Sequence, residues 1–116
     1  MGRVITECVA LRDDCGIVAG VDINTATLAD FPVFASPAEY PGEVDVIIDF
    51  SHPCALTPLL TYAVGHQTPA VVATTGLSAE QVEEVKRASE LIPVFYSGNM
   101  SLGVNLLLKL VKEAAR

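Results

Sequence analysis

Four stretches concentrate the side chains able to hold a small polar ligand. They are Asp22, then Phe50-Ser51-His52-Pro53, then Thr74-Thr75-Gly76, then Ser97-Gly98-Asn99-Met100-Ser101. Each follows a short run rich in β-branched or apolar residues. In open parallel sheets, ligands bind at the carboxyl ends of the strands. Glycine lets backbone N–H groups approach a ligand closely. Thr and Ser hydroxyls and the Asn amide donate or accept hydrogen bonds. That composition suits a nucleotide or a small carboxylate. The same residue types also make βα turns and helix caps, and the residues alone leave both readings open.

Single candidates carry less. Asp22 ends a Val-rich run, where a dinucleotide fold places the carboxylate that binds ribose hydroxyls; one such acid also fits a solvated turn. Asp49 sits at the end of an apolar run and reads as a buried structural acid bonded to neighbouring N–H groups. His52 and His66 have no carboxylate or cysteine at ligand spacing and read as turn or surface histidines. Cys54, in the first turn of a helix, has a position that can lower a thiol pKa, but it reads as a packed cysteine. G-x-S-x-G, H-E-x-x-H, Walker and EF-hand patterns are absent, and no metal site is expected.

The elements that must position these residues follow from periodicity. Val4 to Arg12 has a helical stripe, with Gly16 as the stop. Ile17 to Asp22 reads as a strand. Between Asn24 and Glu43, Pro32, Pro37, Pro41 and Gly42 break the pattern. A short strand near Val33-Phe34 and a helical turn near Ser36 to Tyr40 fit there. Asp45 to Phe50 is a strand whose continuous apolar centre predicts burial on both faces.

Pro53 suits the first turn of the next helix. Its apolar face is Leu56, Leu59, Leu60, Ala63 and Val64, and Gly65 ends it. Pro69 to Thr74 is a strand. Ser78 and Gln81 form a capping box opening a helix with Val82, Val85 and Ala88 inward. Pro93 to Tyr96 is a strand. Ser101 caps the last helix, with Val104, Leu107, Leu108 and Val111 as its apolar face. Lys109, Lys112 and Arg116 fall near its end, where cations suit the helix dipole. Strands alternating with helices at this spacing mean right-handed crossovers and a parallel sheet.

Composition narrows the function classes. The 116 residues fit one domain. Hydrophobic side chains make up 51%, too many for wholesale disorder. No apolar run approaches the roughly 20 residues of a membrane span, and the opening residues lack a signal-peptide core. The expected setting is therefore the cytoplasm. A net charge of −7 disfavours nucleic acid and anionic membranes as partners. Three cysteines without C-x-x-C spacing read as reduced thiols.

Three segments carry a family resemblance. Val46-Ile47-Ile48-Asp49-Phe50-Ser51-His52-Pro53, Ala73-Thr74-Thr75-Gly76-Leu77 and Asn99-Met100-Ser101-Leu102-Gly103-Val104-Asn105 are similar to the bacterial 4-hydroxy-tetrahydrodipicolinate (dihydrodipicolinate) reductases. The resemblance covers essentially the whole chain and matches the family's nucleotide-binding domain. It implies an α/β, Rossmann-like parallel sheet with helices on both faces. It also implies NADH- or NADPH-dependent reduction of a cyclic dicarboxylate to tetrahydrodipicolinate, in diaminopimelate and lysine synthesis. By position, Met1 falls at the end of the glycine-loop contacts and Asp22 matches the ribose carboxylate. Ala73, Thr74 and Thr75 match the segment lining nicotinamide and substrate, with Thr75 as a substrate donor. Ser97, Gly98, Asn99 and Met100 match the second nicotinamide loop.

The departures matter equally. Ala73 replaces the first glycine of the family's G-T-T-G. Ile23 follows Asp22 where NADPH-preferring members often carry a cation, so NADH is favoured over NADPH. Met1-Gly2-Arg3 resembles only the tail of the family's G-x-x-G-R-M-G-R loop, so the usual first strand is expected to be missing. The domain bearing E-x-H-H-x-x-K-x-D-x-P-S-G, which supplies the general acid, substrate cations and oligomer interface, is expected to lie outside residues 1–116. No catalytic residue is then expected in this chain, and by itself it is expected to be marginally stable and inactive. Two other readings compete. One is a non-catalytic nucleotide-binding module. The other is a receiver-like signalling domain, which Tyr96-Ser97-Gly98-Asn99 disfavours because it lacks the required Lys.

Overall fold

The apolar runs that read as strands do form a parallel framework, in two separate pieces. A computed structural model describes residues 1–26 and 30–115. Helix α1 spans Gly2–Ala10; strands β1 and β2 span Gly20–Val21 and Val33–Phe34; a 3-10 turn follows at Pro37–Glu39. Strand β3 spans Ile47–Asp49, and a second 3-10 turn at Pro53–Ala55 leads into α2, Leu56–Gly65. Then come β4 (Ala70–Val72), α3 (Ala79–Ser89), β5 (Val94–Tyr96) and α4 (Leu102–Ala114). Every predicted element is present; the strands are shorter than their apolar runs, and α1 starts and ends two residues early. Arg116, expected at the end of α4, lies outside the described residues.

β1 and β2 pair in parallel as one sheet, and β3-β4-β5 form a second parallel sheet. The class is α/β and Rossmann-like, parallel strands flanked by helices. Among the described residues, no ladder joins β1 to β3. The second sheet is the better built. Its successive crossovers place α2 and α3 against each other, and α3 against β5, so the segment from β3 to β5 is two consecutive βαβ units.

The core lies between those helices and that sheet. Leu56, Leu59, Leu60 and Ala63 from α2 meet Val85 and Ala88 from α3 over Ala70 and Val72. The predicted faces are buried at these positions, while Val64 and Val82, also predicted inward, are only partly buried; Tyr62 is buried as well. α3 opens with the expected capping box: Gln81 N–H donates to Ser78 Oγ at 3.3 Å, and Ser78 N–H to Gln81 Oε1 at 3.0 Å.

Two expectations fail for one physical reason. Strand β3 was expected to be buried on both faces, yet Ile48 is 47% exposed. Ile48, Val71 and Phe95 are in register across the sheet and share the face opposite α2 and α3. Among the described residues nothing seals that row, and a cleft of about 330 Å³ lies over Val46, Val71 and Phe95. The apolar face predicted for α4 is likewise uncovered: Val104, Leu107, Leu108 and Val111 are all exposed. Periodicity identifies a face that prefers burial, but burial needs a second surface.

Candidate dinucleotide site at the strand ends

Parallel pairing puts the carboxyl ends of β3, β4 and β5 side by side. The ladder continues past the strands, with Ala73 N–H donating to Asp49 O at 2.8 Å and Ser97 N–H to Val72 O at 3.1 Å. The loops after Asp49, Val72 and Tyr96 are therefore neighbours. Asp22 follows β1, in the other sheet.

A buried carboxylate ties two of these loops together. Asp49 is 3% exposed and Thr74 is 2% exposed. Thr74 Oγ1 donates to Asp49 Oδ2 at 2.7 Å, while Ser51 donates to Oδ1 through both its N–H, at 3.0 Å, and its hydroxyl, at 2.5 Å. The expected buried structural acid is thus present, satisfied by two hydroxyls and one backbone N–H. Its partner Thr74 was placed among the ligand-facing residues, but its hydroxyl is turned inward onto Asp49. Ala73 is buried too. Of the three residues in that segment, Thr75 alone presents its side chain to solvent. Gly76 then takes a positive φ of 75° with no neighbour within 4 Å of a built Cβ. The conformation favours glycine, and the space leaves the backbone open to a ligand.

The loop after β5 is braced by its own polar groups. Ser97 Oγ donates to Asn99 O at 3.1 Å, and Ser101 N–H donates to Asn99 Oδ1 at 3.0 Å. Asn105, on the first turns of α4, donates through Nδ2 to Ser101 O at 2.9 Å and to Asn99 O at 3.4 Å. Asn105 closes the Asn99–Asn105 segment, and its place one turn into α4, four residues after Ser101, is what lets its amide reach back to the loop. Gly98 and Met100 are exposed in the same loop.

Asp22 is exposed, and its Oδ1 accepts the Asn24 N–H at 2.9 Å. This fixes the turn out of β1 and holds the carboxylate at a strand end. Ile23 beside it is fully exposed and brings no charge. Met1 caps α1 and is exposed; its carbonyl accepts from Ile5 N–H at 3.1 Å.

The histidine and cysteine candidates take local roles. His52 caps the 3-10 turn after β3, accepting Cys54 N–H at 3.3 Å. His66 stacks on Tyr62 with ring centroids 4.0 Å apart. Both match the expected turn and surface roles. Cys54 is exposed, so the expectation of a packed cysteine is corrected: Pro53 and the 3-10 turn direct it outward. Cys8 and Cys15 are also exposed, and none of the three cysteines forms a disulfide. Among the described residues, no group of acidic, His and Cys side chains could hold a metal ion, and no helix is long and apolar enough to cross a membrane.

Arg12 holds Asp14 below the usual carboxylate range through a two-pronged bond of 2.7 and 2.5 Å. The Arg12 guanidinium is raised in turn, chiefly by Asp14. Glu80 in the first turn of α3 is lowered, first by its own backbone N–H and then by the Ser78 hydroxyl.

A cleft of about 370 Å³ opens at the other end of the sheet, between Asp45, Tyr62, His66 and Pro69. No glycine lines it, whereas Gly76 and Gly98 lie in the loops at the carboxyl ends, so the chemistry favours the strand-end rim.

Comparison with known proteins gives the chain a lineage. Over its full length the chain is 47% identical to the 4-hydroxy-tetrahydrodipicolinate reductase of Caldanaerobacter subterraneus subsp. tengcongensis and 40% identical to that of Clostridium tetani, spanning 46% of each. The same enzyme of Exiguobacterium sibiricum is 43% identical over 96 residues, which is 83% of this chain and 38% of that one. The chain thus spans about half the length, or less, of the curated relatives it matches. The family model described as dihydrodipicolinate reductase, N-terminus, matches residues 1–100, and this chain belongs to that family.

Proposed function

We propose that residues 1–116 are part of the nicotinamide-dinucleotide-binding domain of a 4-hydroxy-tetrahydrodipicolinate reductase. The observation that carries the reading is the pairing of β4 with β5. It sets the Ala73–Thr75 and Ser97–Met100 loops side by side in a chain matching the reductase N-terminus over residues 1–100. The residues fit such a cofactor. Asp22 is an exposed carboxylate at a strand end, suited to ribose hydroxyls. The first amides of α1, after Met1, have no acceptor within the helix, which suits a pyrophosphate. Gly76 and Gly98 leave backbone open along the rim.

In this reading the cofactor supplies the hydride, and the chain's own residues bind and orient it. Met1 and Asp22 hold the adenosine side. Thr75, Ser97, Gly98, Asn99 and Met100 flank the nicotinamide, while Ala73 and Thr74 shape the loop from beneath. Thr75 also donates to a carboxylate of a small dicarboxylate substrate. NADH is preferred over NADPH, because Asp22 repels a 2′-phosphate and Ile23 offers no compensating cation. The chain by itself turns over no cofactor, and it acts in the cytoplasm as part of a homo-oligomeric reductase of the diaminopimelate and lysine route.

NADH fluorescence titration of the purified chain tests the reading. Saturable binding that Asp22→Ala weakens supports it. The absence of saturable binding by either NADH or NADPH to folded chain overturns it.

A further inference from the structure

The cleft at the amino ends of β3 and β4 has a chemistry of its own. Glu43 and Asp45, just before β3, line it together with Tyr62, His66 and Thr68 from the end of α2 and the turn into β4. Its volume of about 370 Å³ is that of a small-molecule site. Tyr62 is 8% and Thr68 4% exposed, yet among the described residues neither hydroxyl makes a hydrogen bond. No side-chain oxygen among those residues is both sealed from solvent and unbonded. Both hydroxyls therefore reach open space, and the open space they border is this cleft. Hydroxyls on side chains buried so deeply are as a rule bonded within the protein; these two face a cavity instead.

The other groups set the sign of the charge that fits. His66 Nδ1 lies 2.9 Å from Tyr62 O. A carbonyl only accepts, so Nδ1 carries the proton of the neutral ring and Nε2 keeps a lone pair. Glu43 and Asp45 are exposed, neither joins an ion pair among the described residues, and no Lys or Arg lines the cleft. Two uncompensated carboxylates repel anions and attract positive N–H donors. A single metal ion does not fit, because no three acidic, His or Cys groups among the described residues could hold one. Val44 and Pro69 add apolar lining. We propose that this cleft binds a small aliphatic diamine. Its two ammonium groups balance Glu43 and Asp45, its N–H groups donate to the imidazole and the two hydroxyls, and its methylenes lie against Val44 and Pro69. The cleft is at the end of the sheet opposite the strand-end rim, so the proposal is independent of the dinucleotide reading.

Isothermal titration of the full chain with putrescine tests it, with butylamine and magnesium chloride as comparison ligands at equal ionic strength. Saturable binding of one putrescine per chain is expected, about tenfold tighter than either comparison ligand. Thr68→Val keeps the shape of the side chain and removes its hydroxyl, and is expected to weaken binding about threefold. Glu43→Gln combined with Asp45→Asn is expected to weaken it by about tenfold. Amide chemical shifts of the unaltered chain supply a measurement that needs no variant to fold: those of Asp45, His66 and Thr68 are expected to move on adding putrescine. The absence of saturable binding to the folded chain overturns the proposal, as do equal affinities for the three ligands or shifts confined to other residues. Binding lost with the two carboxylates but unchanged in folded Thr68→Val also overturns it, because exposed charge then accounts for it without the cleft.

Discussion

Thr74 Oγ1 donates to Asp49 Oδ2 at 2.7 Å across the adjoining ends of β4 and β3, and both side chains are almost fully buried. This contact joins residues 25 apart in sequence and fixes the relative height of two loops at the rim. With Ser51 donating twice to the other carboxylate oxygen, both oxygens of Asp49 have donors. A buried carboxylate so arranged acts as a brace, and it leaves Thr75 as the side chain presented outward.

Removing the brace is expected to cost stability. Asp49→Ala strands the Thr74 hydroxyl without its acceptor, at about 1–3 kcal/mol. Thr74→Val leaves a carboxylate oxygen short of a donor and has a similar cost. Urea unfolding followed by circular dichroism measures both; a midpoint unchanged in each variant refutes the brace.

The core and α4 are expected to respond oppositely to truncation. Leu56 is fully buried in the α2–α3 core, and Leu56→Ala is expected to destabilise by about 2–5 kcal/mol. Leu108 is 51% exposed on α4, and Leu108→Ala is expected to change stability by no more than about 0.5 kcal/mol. The same unfolding assay compares them. A large loss from Leu108→Ala would show that α4 is packed in solution.

The start of α3 depends on its cap. Ser78→Ala removes the acceptor for Gln81 N–H and is expected to cost about 1 kcal/mol. Glu80 adds a pH dependence. Its carboxyl is lowered by its own backbone N–H and the Ser78 hydroxyl, so the folded state favours the ionised form. That contribution is complete above the ordinary carboxylate range and disappears as pH falls through the lowered folded-state value. Melting temperatures across an acid series should therefore fall less steeply for Glu80→Gln than for the unaltered chain.

Cofactor preference is expected to turn on the residue beside Asp22. Ile23 is fully exposed and uncharged, so Ile23→Arg places a cation where a 2′-phosphate would sit. Fluorescence titrations should show NADPH affinity rising relative to NADH by about tenfold, roughly one charge-assisted contact. An unchanged ratio argues against the ribose role proposed for Asp22.

Residue order alone determined the alternation of elements, the inward faces of α2 and α3, the capping box at Ser78 and the burial of Asp49. These follow from local rules: helical and strand periodicity, the hydroxyl preference of helix starts, and an acid embedded in an apolar run. The motifs around Asp49, Thr74 and Asn99 also carried the family resemblance. Tertiary structure decided what those rules leave open. It turned Thr74 inward and Thr75 outward, because the partner that claims Thr74 lies on a different strand. It divided the strands into two sheets and left Ile48, Phe95 and the leucines of α4 uncovered, because an apolar face becomes core only when a second surface closes over it. It also turned Cys54 outward, since the 3-10 turn after β3 fixes the direction of a side chain that spacing along the chain does not.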